Sequence, residues 1–280
     1  MDLDYSLALG LAAASAAILG SMLGLGGGVF IVPLFTLYLG VDPKIAVGAS
    51  AIAVVTNSVV GSSNHLRNGF TNIRLSMLLQ VSTAIGAIVG AIIAIWADAS
   101  LLKVVLGIIL VYSAFSMIRS RKAAYPNATS DTPDPLALGS IYPDPASGNE
   151  VRYVPQRVGI GVGVSTGAGV LSGMLGIGGG VIQVPMMNLV MRMPVKAAAG
   201  TSSFMVGMTA VATAAVFYSS GKIDPRVAVP AMLGVFIGSN LGSTLTKRLK
   251  TDRLILVFFV ILTYLGASMI LDAFDINPFG

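Results

Sequence analysis

Two apolar stretches of this chain, residues 3–40 and 157–191, are too long to cross a membrane only once. A single helix over residues 3–40 would measure about 57 Å, whereas the hydrocarbon core of a bilayer is about 30 Å thick. Each stretch has a glycine cluster near its middle, at 24–28 in the first and at 176–180 in the second. Each stretch must therefore turn back on itself, and we expect the turn at the glycines.

Simple apolar segments of spanning length follow each of these stretches. They cover residues 45–66, 73–96, 101–118, 196–219, 226–247 and 253–271. Only 10% of the residues are charged, and a soluble protein of this size needs more charge to cover its surface. The composition therefore excludes the soluble classes and argues against a nucleic-acid partner, despite the net charge of +5. We predict an all-α polytopic membrane protein in the lipid bilayer, with eight main segments, or ten when the broken halves are counted.

The two halves of the chain are copies of one another. Under a shift of 152 positions, about a third of the residues match over some 55 positions without a gap, which indicates an internal duplication. We expect a first membrane repeat at 1–118 and a second at 157–280, joined by a polar, proline-rich, irregular connection at 119–156. Residues that coincide under this shift include Met22 and Met174, Pro33 and Pro185, Lys44 and Lys196, Ser50 and Ser202, and Arg74 and Arg226.

The distribution of basic residues predicts the orientation of the chain. With residue 1 outside, about 13 Lys and Arg residues fall in inner loops and 4 in outer loops. The positive-inside rule favours this arrangement, so we expect both termini outside and the 119–156 connection inside. Each half then makes an odd number of crossings, and the copies are predicted to be inverted repeats, as in secondary transporters. Crossing and re-entrant versions of the glycine-broken stretches give the same orientation.

The glycine clusters are the first candidate binding elements. Unwound backbone at membrane depth is tolerated where it lines a cavity or is packed in protein. A half-helix that begins at the glycines would direct its free N–H groups and positive dipole end into the membrane, and two such ends could bind an anion. The alternative is that the glycines only allow helices to cross closely. The candidate residues are Gly26, Gly27, Gly28, Gly178, Gly179 and Gly180.

Small polar residues within the apolar segments are the other candidates. Every acidic residue is predicted in a loop or at a terminus, which disfavours a buried carboxylate relay and a cationic substrate. An interior lined by N–H groups, hydroxyls and amides favours an anion. For a hydroxyl the alternative is a hydrogen bond to the carbonyl four residues earlier, and for an amide it is a bond between helices. The candidates are Ser50, Asn57, Gln183, Thr201 and Ser202.

Catalytic chemistry is disfavoured by the residue types that the chain lacks. It has no cysteine and a single histidine, His65, so we expect no nucleophile–base pair and no metal cluster. The glycine runs do not fit a dinucleotide-binding motif, because no strand precedes them and no acidic residue follows about 20 positions later. We therefore predict that the protein is not an enzyme and has no cofactor.

The repeated elements resemble the TauE/SafE family of sulfite and organosulfur-anion transporters. The residues that carry this resemblance are the glycine-rich runs at 24–28 and 176–180, Pro33 and Pro185, and the Gly-Ala/Thr-Ser elements at 48–50 and 200–202. The loop pattern Gly-x-Ile-Asp of the family is present at 221–224. The first half has only part of this pattern, because Asn72 stands where the aspartate would be.

The resemblance covers nearly the whole chain outside the 119–156 connection. It implies export or uptake of a small sulfur-containing anion, such as sulfite, sulfoacetate or thiosulfate, across the bacterial inner membrane, with the outer loops and termini in the periplasm. Our hypothesis is a secondary transporter that holds this anion near the midplane and works by alternating access. A passive anion channel of the same fold and a carrier of a non-sulfur organic anion are the alternatives. The assembly is left open, with a homodimer as one alternative.

Overall fold

The computed structural model describes residues 3–22, 25–121, 133–143, 149–246 and 251–274. These residues form ten helices and one two-stranded sheet. The helices are α1 (Leu3–Met22), α2 (Gly28–Leu39), α3 (Pro43–Arg67), α4 (Ile73–Trp96), α5 (Ala99–Arg121), α6 (Val158–Leu175), α7 (Gly180–Leu189), α8 (Val195–Ser219), α9 (Pro225–Thr246) and α10 (Thr251–Ala273). The strands are β1 (Ser140–Pro143) and β2 (Glu150–Tyr153).

Most of the helices have the length and composition of membrane spans. Seven helices in the described ranges are long and apolar enough to cross a bilayer, and α2 is a shorter apolar helix. Inside a bilayer every backbone N–H and C=O group must be paired within the protein, and a helix pairs them locally. The chain is therefore a multi-pass, mostly helical membrane protein.

Each glycine-broken stretch is a helical hairpin. α1 has 20 residues and α2 has 12, so α2 is long enough for only part of a crossing. The Tyr5 hydroxyl at the start of α1 donates to the Leu39 carbonyl at the end of α2, 3.1 Å away. The Gln156 N–H before α6 donates in the same way to the Met191 carbonyl after α7, at 3.0 Å. Each stretch thus begins and ends on the same side of the bundle, as both the crossing and the re-entrant versions expected.

Helices of one half pack against helices of the other half. α1 lies on α9 and α6 on α4, while α3 packs on α8 and α5 on α10. Small residues bring these backbones close: a Cβ on Gly234 or Gly238 of α9 would meet the backbone of Gly10 or Ala14 on α1. Because lipid is as apolar as the side chains, such close contact contributes more to helix association in a membrane than apolar burial does.

The contacts between α3 and α8 show that these two helices run in opposite directions. Ser58, in the later part of α3, donates to the carbonyl of Ser203, near the start of α8. Gly48, near the start of α3, lies beside Lys222, which follows the end of α8. The two helices, which occupy corresponding positions under the 152-residue shift, are therefore antiparallel to each other.

The helix ends form two faces of the bundle. We call the first the connection face, because Leu138 of the 133–143 segment accepts from Asn72 at the start of α4 there. Thr71, just before Asn72, donates to the Gly200 carbonyl near the start of α8. The starts of α3 and α5 and the ends of α4 and α10 lie at the opposite face. Basic residues that the sequence places inside and that lie at the connection face include Arg67, Arg74, Arg152, Arg157, Arg192 and Lys196.

The connection differs from its prediction as an irregular segment. β1 and β2 form an antiparallel pair in which Ser140 is opposite Tyr153 and Pro143 is opposite Glu150. Pro143 ends its strand, where a missing N–H is tolerated, so the prolines did not prevent pairing. α5 also runs to Arg121, past the boundary drawn at residue 118. Parts of the predicted connection, termini and first glycine cluster lie outside the described residues, namely 1–2, 24, 122–132, 144–148 and 275–280.

Two of the acidic residues expected at the ends of the chain are included in helices, Asp4 in the first turn of α1 and, at the other end, Asp272. This residue is in the last turn of α10, and its carboxylate is 2.7 Å from Lys103 Nζ on α5. The two side chains are 21% and 22% exposed, at the opposite face. The pair is therefore near the membrane boundary, where a charge costs far less than at the midplane.

Candidate substrate site

The glycine clusters allow one helix to end and the next to begin within the membrane. Gly27, before α2, has a φ of 76°, and Gly179, before α7, has a φ of 81°. A residue with a Cβ is strained at such angles, so glycine is required at both positions. No side chain caps either helix, and the first N–H groups of α2 and α7 are left available to a ligand.

The turns between the paired helices meet at a pair of valines. We call residues 25–27, before α2, the first break and residues 176–179, between α6 and α7, the second break. Val54 on α3 and Val206 on α8 are fully buried and correspond under the 152-residue shift. A Cβ on Gly26 would lie 2.8 Å from Val206 Cγ1 and 3.4 Å from Val54 Cγ1. A Cβ on Gly178 would lie 2.6 and 2.8 Å from the same two atoms. We call Val54 and Val206 the valine pair. Both breaks therefore reach one point between α3 and α8.

Ser50 and Ser202 occupy the same place in the two repeats but bond differently. Ser50 Oγ donates to the Gly176 carbonyl in the second break, 3.0 Å away. The Ser202 side chain is just as buried, but its hydroxyl has no partner among the described residues. Ser50 thus holds the first repeat against the second break, whereas the Ser202 hydroxyl is available to bind a ligand.

A small polar cavity lies between the first break, α3 and α8, on the connection-face side of the valine pair. About 10 Å³ of it is open to water, enough for roughly one molecule. The amide of Asn57 lines it, and Asn57 Oδ1 has no partner in the described part of the chain. The Ser58 hydroxyl donates to the Ser203 carbonyl at 2.6 Å. The lining residues are Ser21, Gly26, Asn57, Ser58, Gly61, Ser203 and Val206.

The corresponding positions of the second repeat offer fewer free polar groups. The hydroxyls of Thr209 and Thr213 donate to the carbonyls four residues earlier, both at 3.1 Å. Ala210, at 1% exposure, packs with the valine pair. The two sides of the valine pair therefore differ: one has a polar cavity, and the other is packed. The corresponding residues are Thr209 for Asn57, Ala210 for Ser58 and Thr213 for Gly61.

Gln183 and Thr201, both candidates from the sequence, lie in different surroundings. Gln183 in the first turn of α7 is fully buried, and neither amide atom has a partner among the described residues. Gln183 Nε2 and Ser172 Oγ would each lie 3.5 Å from a Cβ on Gly179, so both flank the start of α7. Thr201 instead accepts a hydrogen bond from the Asn72 N–H, at 3.1 Å, near the connection face.

The sequence interpretation searched for polar residues at matching positions and missed several residues of the site, among them Val54, Val206, Ser58 and Ser172. Val54 and Val206 match under the shift, but a valine in an apolar segment has no pattern that separates it from ordinary core. Ser58 and Ser172 are polar, but Ala210 and Gly20 stand at their corresponding positions. The repeat signal therefore did not select them.

The interior of the described bundle is polar but uncharged. Its buried polar side chains are those of Ser, Thr, Asn and Gln, and none in the described ranges is Asp, Glu, Lys or Arg. No group of three or more His, Asp or Glu residues that could hold a metal ion occurs in the same ranges. A bound ion would therefore be stabilised by helix ends, hydroxyls and amides, which favour negative charge at α2 and α7.

Comparison with known proteins identifies the family. The model of the family described as "Sulfite exporter TauE/SafE" matches residues 9–269. The chain belongs to the TauE/SafE family. Among its relatives, the "Probable membrane transporter protein YunE" of Bacillus subtilis is 23% identical over 264 residues, which are 92% of this chain and 94% of the relative. A "Probable membrane transporter protein" of Methanocaldococcus jannaschii is 26% identical over 269 residues, 91% of each chain. No solved structure matches the chain.

Asn72 of this TauE/SafE protein links three elements at the connection face. Its Oδ1 accepts from the Leu75 N–H and so caps α4, at 3.0 Å. Its Nδ2 donates to the Leu138 carbonyl of the connection, at 2.7 Å. The Tyr153 side chain of β2 also bonds to Asn72, and burial raises the pKa of that tyrosine, so its hydroxyl stays neutral. An aspartate at position 72 would keep the cap but lose the donor to Leu138, which accounts for the departure from the Gly-x-Ile-Asp pattern.

We therefore expect Asn72→Asp to lower stability by about 1–3 kcal/mol, because a carboxylate would face the Leu138 carbonyl without a proton to donate. The matched control is Asp224→Asn at the corresponding position of the second repeat, where Asp224 Oδ1 only accepts from the Arg226 N–H. An amide preserves that bond, so the control should change stability by less than about 0.5 kcal/mol. Thermal unfolding of the detergent-purified variants measures both effects. Equal melting temperatures for the two variants would contradict the role of Asn72.

Proposed function

We propose that this protein is a secondary transporter that moves a small sulfur-containing anion across the bacterial inner membrane by alternating access. The observation that carries the proposal is the meeting of the two glycine breaks at the valine pair, in an uncharged interior. Two half-helices that begin near the midplane are the arrangement by which secondary transporters bind anions. We propose sulfite, sulfoacetate or thiosulfate as substrates because the matched family model is described as a sulfite exporter.

The same proposal includes two inverted repeats. In the repeat, α1 corresponds to α6 and α4 corresponds to α9. The contact of α1 with α9 therefore has an equivalent in the contact of α6 with α4, and both contacts are present. The antiparallel pairing of α3 with α8 fits a two-fold axis in the membrane plane. With such an axis, rocking of one repeat against the other would open one side of the valine pair as it closes the other.

We place the connection face in the cytoplasm, because the basic residues are concentrated there. The polar cavity is then on the cytoplasmic side of the valine pair, and the packed Thr209 and Ala210 are on the periplasmic side. Under the proposal, this structure corresponds to a state closed to the periplasm, with a constricted cavity on the cytoplasmic side.

Thiol labelling tests this mechanism, and the chain has no cysteine that would interfere. We expect a cysteine at Ser58→Cys to react with a maleimide added from the cytoplasmic side, since Ser58 lines the polar cavity. Ala210→Cys, its counterpart, is expected to react at least tenfold more slowly because Ala210 is buried against the valine pair. Methanesulfonate added at the periplasmic side should change both rates in opposite directions, because a transported anion shifts the population of the two states. Sulfite is not used in this assay, because it adds to maleimides.

The labelling rates also separate the carrier from the alternatives. Fast labelling of both positions from both sides would indicate a continuous pore, that is, a passive channel. Sulfite accumulation against its gradient in proteoliposomes would support the carrier. Failure of sulfite, sulfoacetate and thiosulfate to be transported, combined with uptake of a carboxylate, would indicate a carrier of a non-sulfur organic anion.

A further inference from the structure

The start of α7 is flanked by unpaired polar side-chain atoms at two positions where the first repeat has apolar residues. In the described part of the chain, Ser172 Oγ and both amide atoms of Gln183 are buried without a hydrogen-bond partner. Their counterparts under the repeat shift are Gly20 and Ile31, which have no polar side-chain atom. Because a buried unpaired polar group is costly and the first repeat folds without it, the fold itself does not explain this cluster.

The geometry directs the cluster at the start of α7. Gln183 Nε2 and Ser172 Oγ are each 3.5 Å from the position of a Cβ on Gly179, the residue before the helix. The N–H groups of Gly180 and Val181 have no acceptor among the described residues. A hydroxyl, an amide and the free N–H groups of the first turn therefore all lie at one place, the start of α7. We call this point, flanked by Ser172, Gly179 and Gln183, the α7 site.

The α7 site adjoins the polar cavity but is separated from it. Val206 lines the cavity and also lies against Gly178, the residue before Gly179. A movement of the second break relative to Val206 would therefore join the α7 site to the cavity.

The charge that this interior can balance is small. One helix start supplies roughly half of a positive elementary charge, so the two together supply about one. No Lys or Arg is among the buried side chains of the described residues. Since the cost of taking an ion out of water rises with the square of its charge, a dianion is much harder to accommodate here than a monoanion.

The side chain of Gln183 adds a second requirement. One of its two unpaired amide atoms donates and the other accepts, whichever way the amide is oriented. A ligand that satisfies both must present an acceptor oxygen and also a hydroxyl group or a bound water. A protonated oxyanion meets both requirements.

We propose that the α7 site selects singly charged oxyanions, so that hydrogensulfite and not the sulfite dianion is the transported species. This inference rests on the proposed function and narrows it. Of the three substrates proposed above, thiosulfate and sulfoacetate are dianions near neutral pH and are excluded by it, whereas sulfite has a monoanionic form.

Proteoliposomes that contain the full-length protein test the charge state. Hydrogensulfite loses its proton near neutral pH, so sulfite flux at constant total concentration should fall at least about fivefold between about pH 6 and about pH 8. Methanesulfonate remains a monoanion over this range, and its flux should not change. Its flux also shows whether titration of the protein itself changes transport. The charged residues of the helices packed against α7 are Lys103, Arg119 and Arg121 on α5 and Lys196 on α8. Sulfate, a dianion throughout, should be transported at less than a tenth of the methanesulfonate rate.

The outcomes separate the two proposals. Sulfate flux equal to that of methanesulfonate, or sulfite flux that rises with pH, would overturn the selection of monoanions and leave the transporter intact. If none of the three anions is transported, the proposed function fails as well.

A pair of variants tests the site itself. Gln183→Leu should reduce sulfite flux at least tenfold, with a melting temperature that is unchanged or higher, because it removes two unpaired polar atoms. The control is Asn188→Leu, on the same helix and equally buried, which breaks the bond from Asn188 Nδ2 to the Met193 carbonyl and should lower the melting temperature. If Gln183→Leu lowers the melting temperature and retains full flux per folded protein, Gln183 is structural and the α7 site is refuted.

Discussion

Replacement of Gly28 by alanine is expected to reduce anion flux at least tenfold. The new Cβ would lie 2.8 Å from the Gly176 carbonyl and 2.9 Å from Ser50 Oγ. Ser50 can rotate, but the Gly176 carbonyl is backbone and moves only if the second break moves with it. The start of α2 would therefore be pushed away from α7, and the meeting of the two breaks would be lost.

A second helical glycine provides the control for this change. Gly163 lies within α6, and a Cβ there would meet no atom within 4 Å. Gly163→Ala should leave flux unchanged and stabilise the helix by up to about 1 kcal/mol, since alanine favours a helix more than glycine does. Flux in proteoliposomes and thermal unfolding measure the two effects. Wild-type flux in Gly28→Ala would show that the contact between the breaks is not required.

The double variant Val54→Ala/Val206→Ala is expected to convert coupled transport into a leak. The valine pair separates the polar cavity from the packed side around Ala210, and each valine contacts both breaks. Truncation removes the apolar atoms that close this point and leaves a cavity, at about 1–2 kcal/mol of stability per valine. We expect passive anion efflux from proteoliposomes to rise at least tenfold and accumulation against a gradient to disappear.

The matched control uses two buried valines that do not belong to the valine pair. Val32 on α2 and Val235 on α9 are 2% and 0% exposed and do not line the polar cavity. Val32→Ala/Val235→Ala should lose similar stability without becoming leaky. Equal efflux from the two double variants would mean that the leak reflects general loosening, and the valine pair would then not be a barrier.

Most of the helices could be predicted from the sequence. The expected segment at 73–96 agrees with α4 over its full length, and the half-helices begin at Gly28 and Gly180, the last residues of the glycine clusters. These features are local: hydropathy over about 20 residues identifies a span, and a positive φ requires glycine at the residue that adopts it. The hairpin of β1 and β2 was missed because its pairing depends on residues that lie apart in a proline-rich segment.

The candidate site could be predicted only in part. Asn57, Gln183 and the cluster glycines were selected because polar or flexible residues are rare at membrane depth. Thr201 was selected by the same criterion, but its hydroxyl accepts from the Asn72 N–H. Sequence position does not show which hydroxyl already has a partner, because the partner belongs to a different helix.

The sequence by itself determined the membrane class, the duplication, the two breaks and an interior without buried charge. Each of these depends on the type of residue within one segment. The tertiary structure decided which equivalent residues differ: Ser50 donates to the Gly176 carbonyl while Ser202 is unpaired. It also decided that two unremarkable valines stand where the breaks meet. The physical reason is that hydrogen bonding and contact at the site join groups more than a hundred residues apart, and their geometry exists only after the two halves have packed.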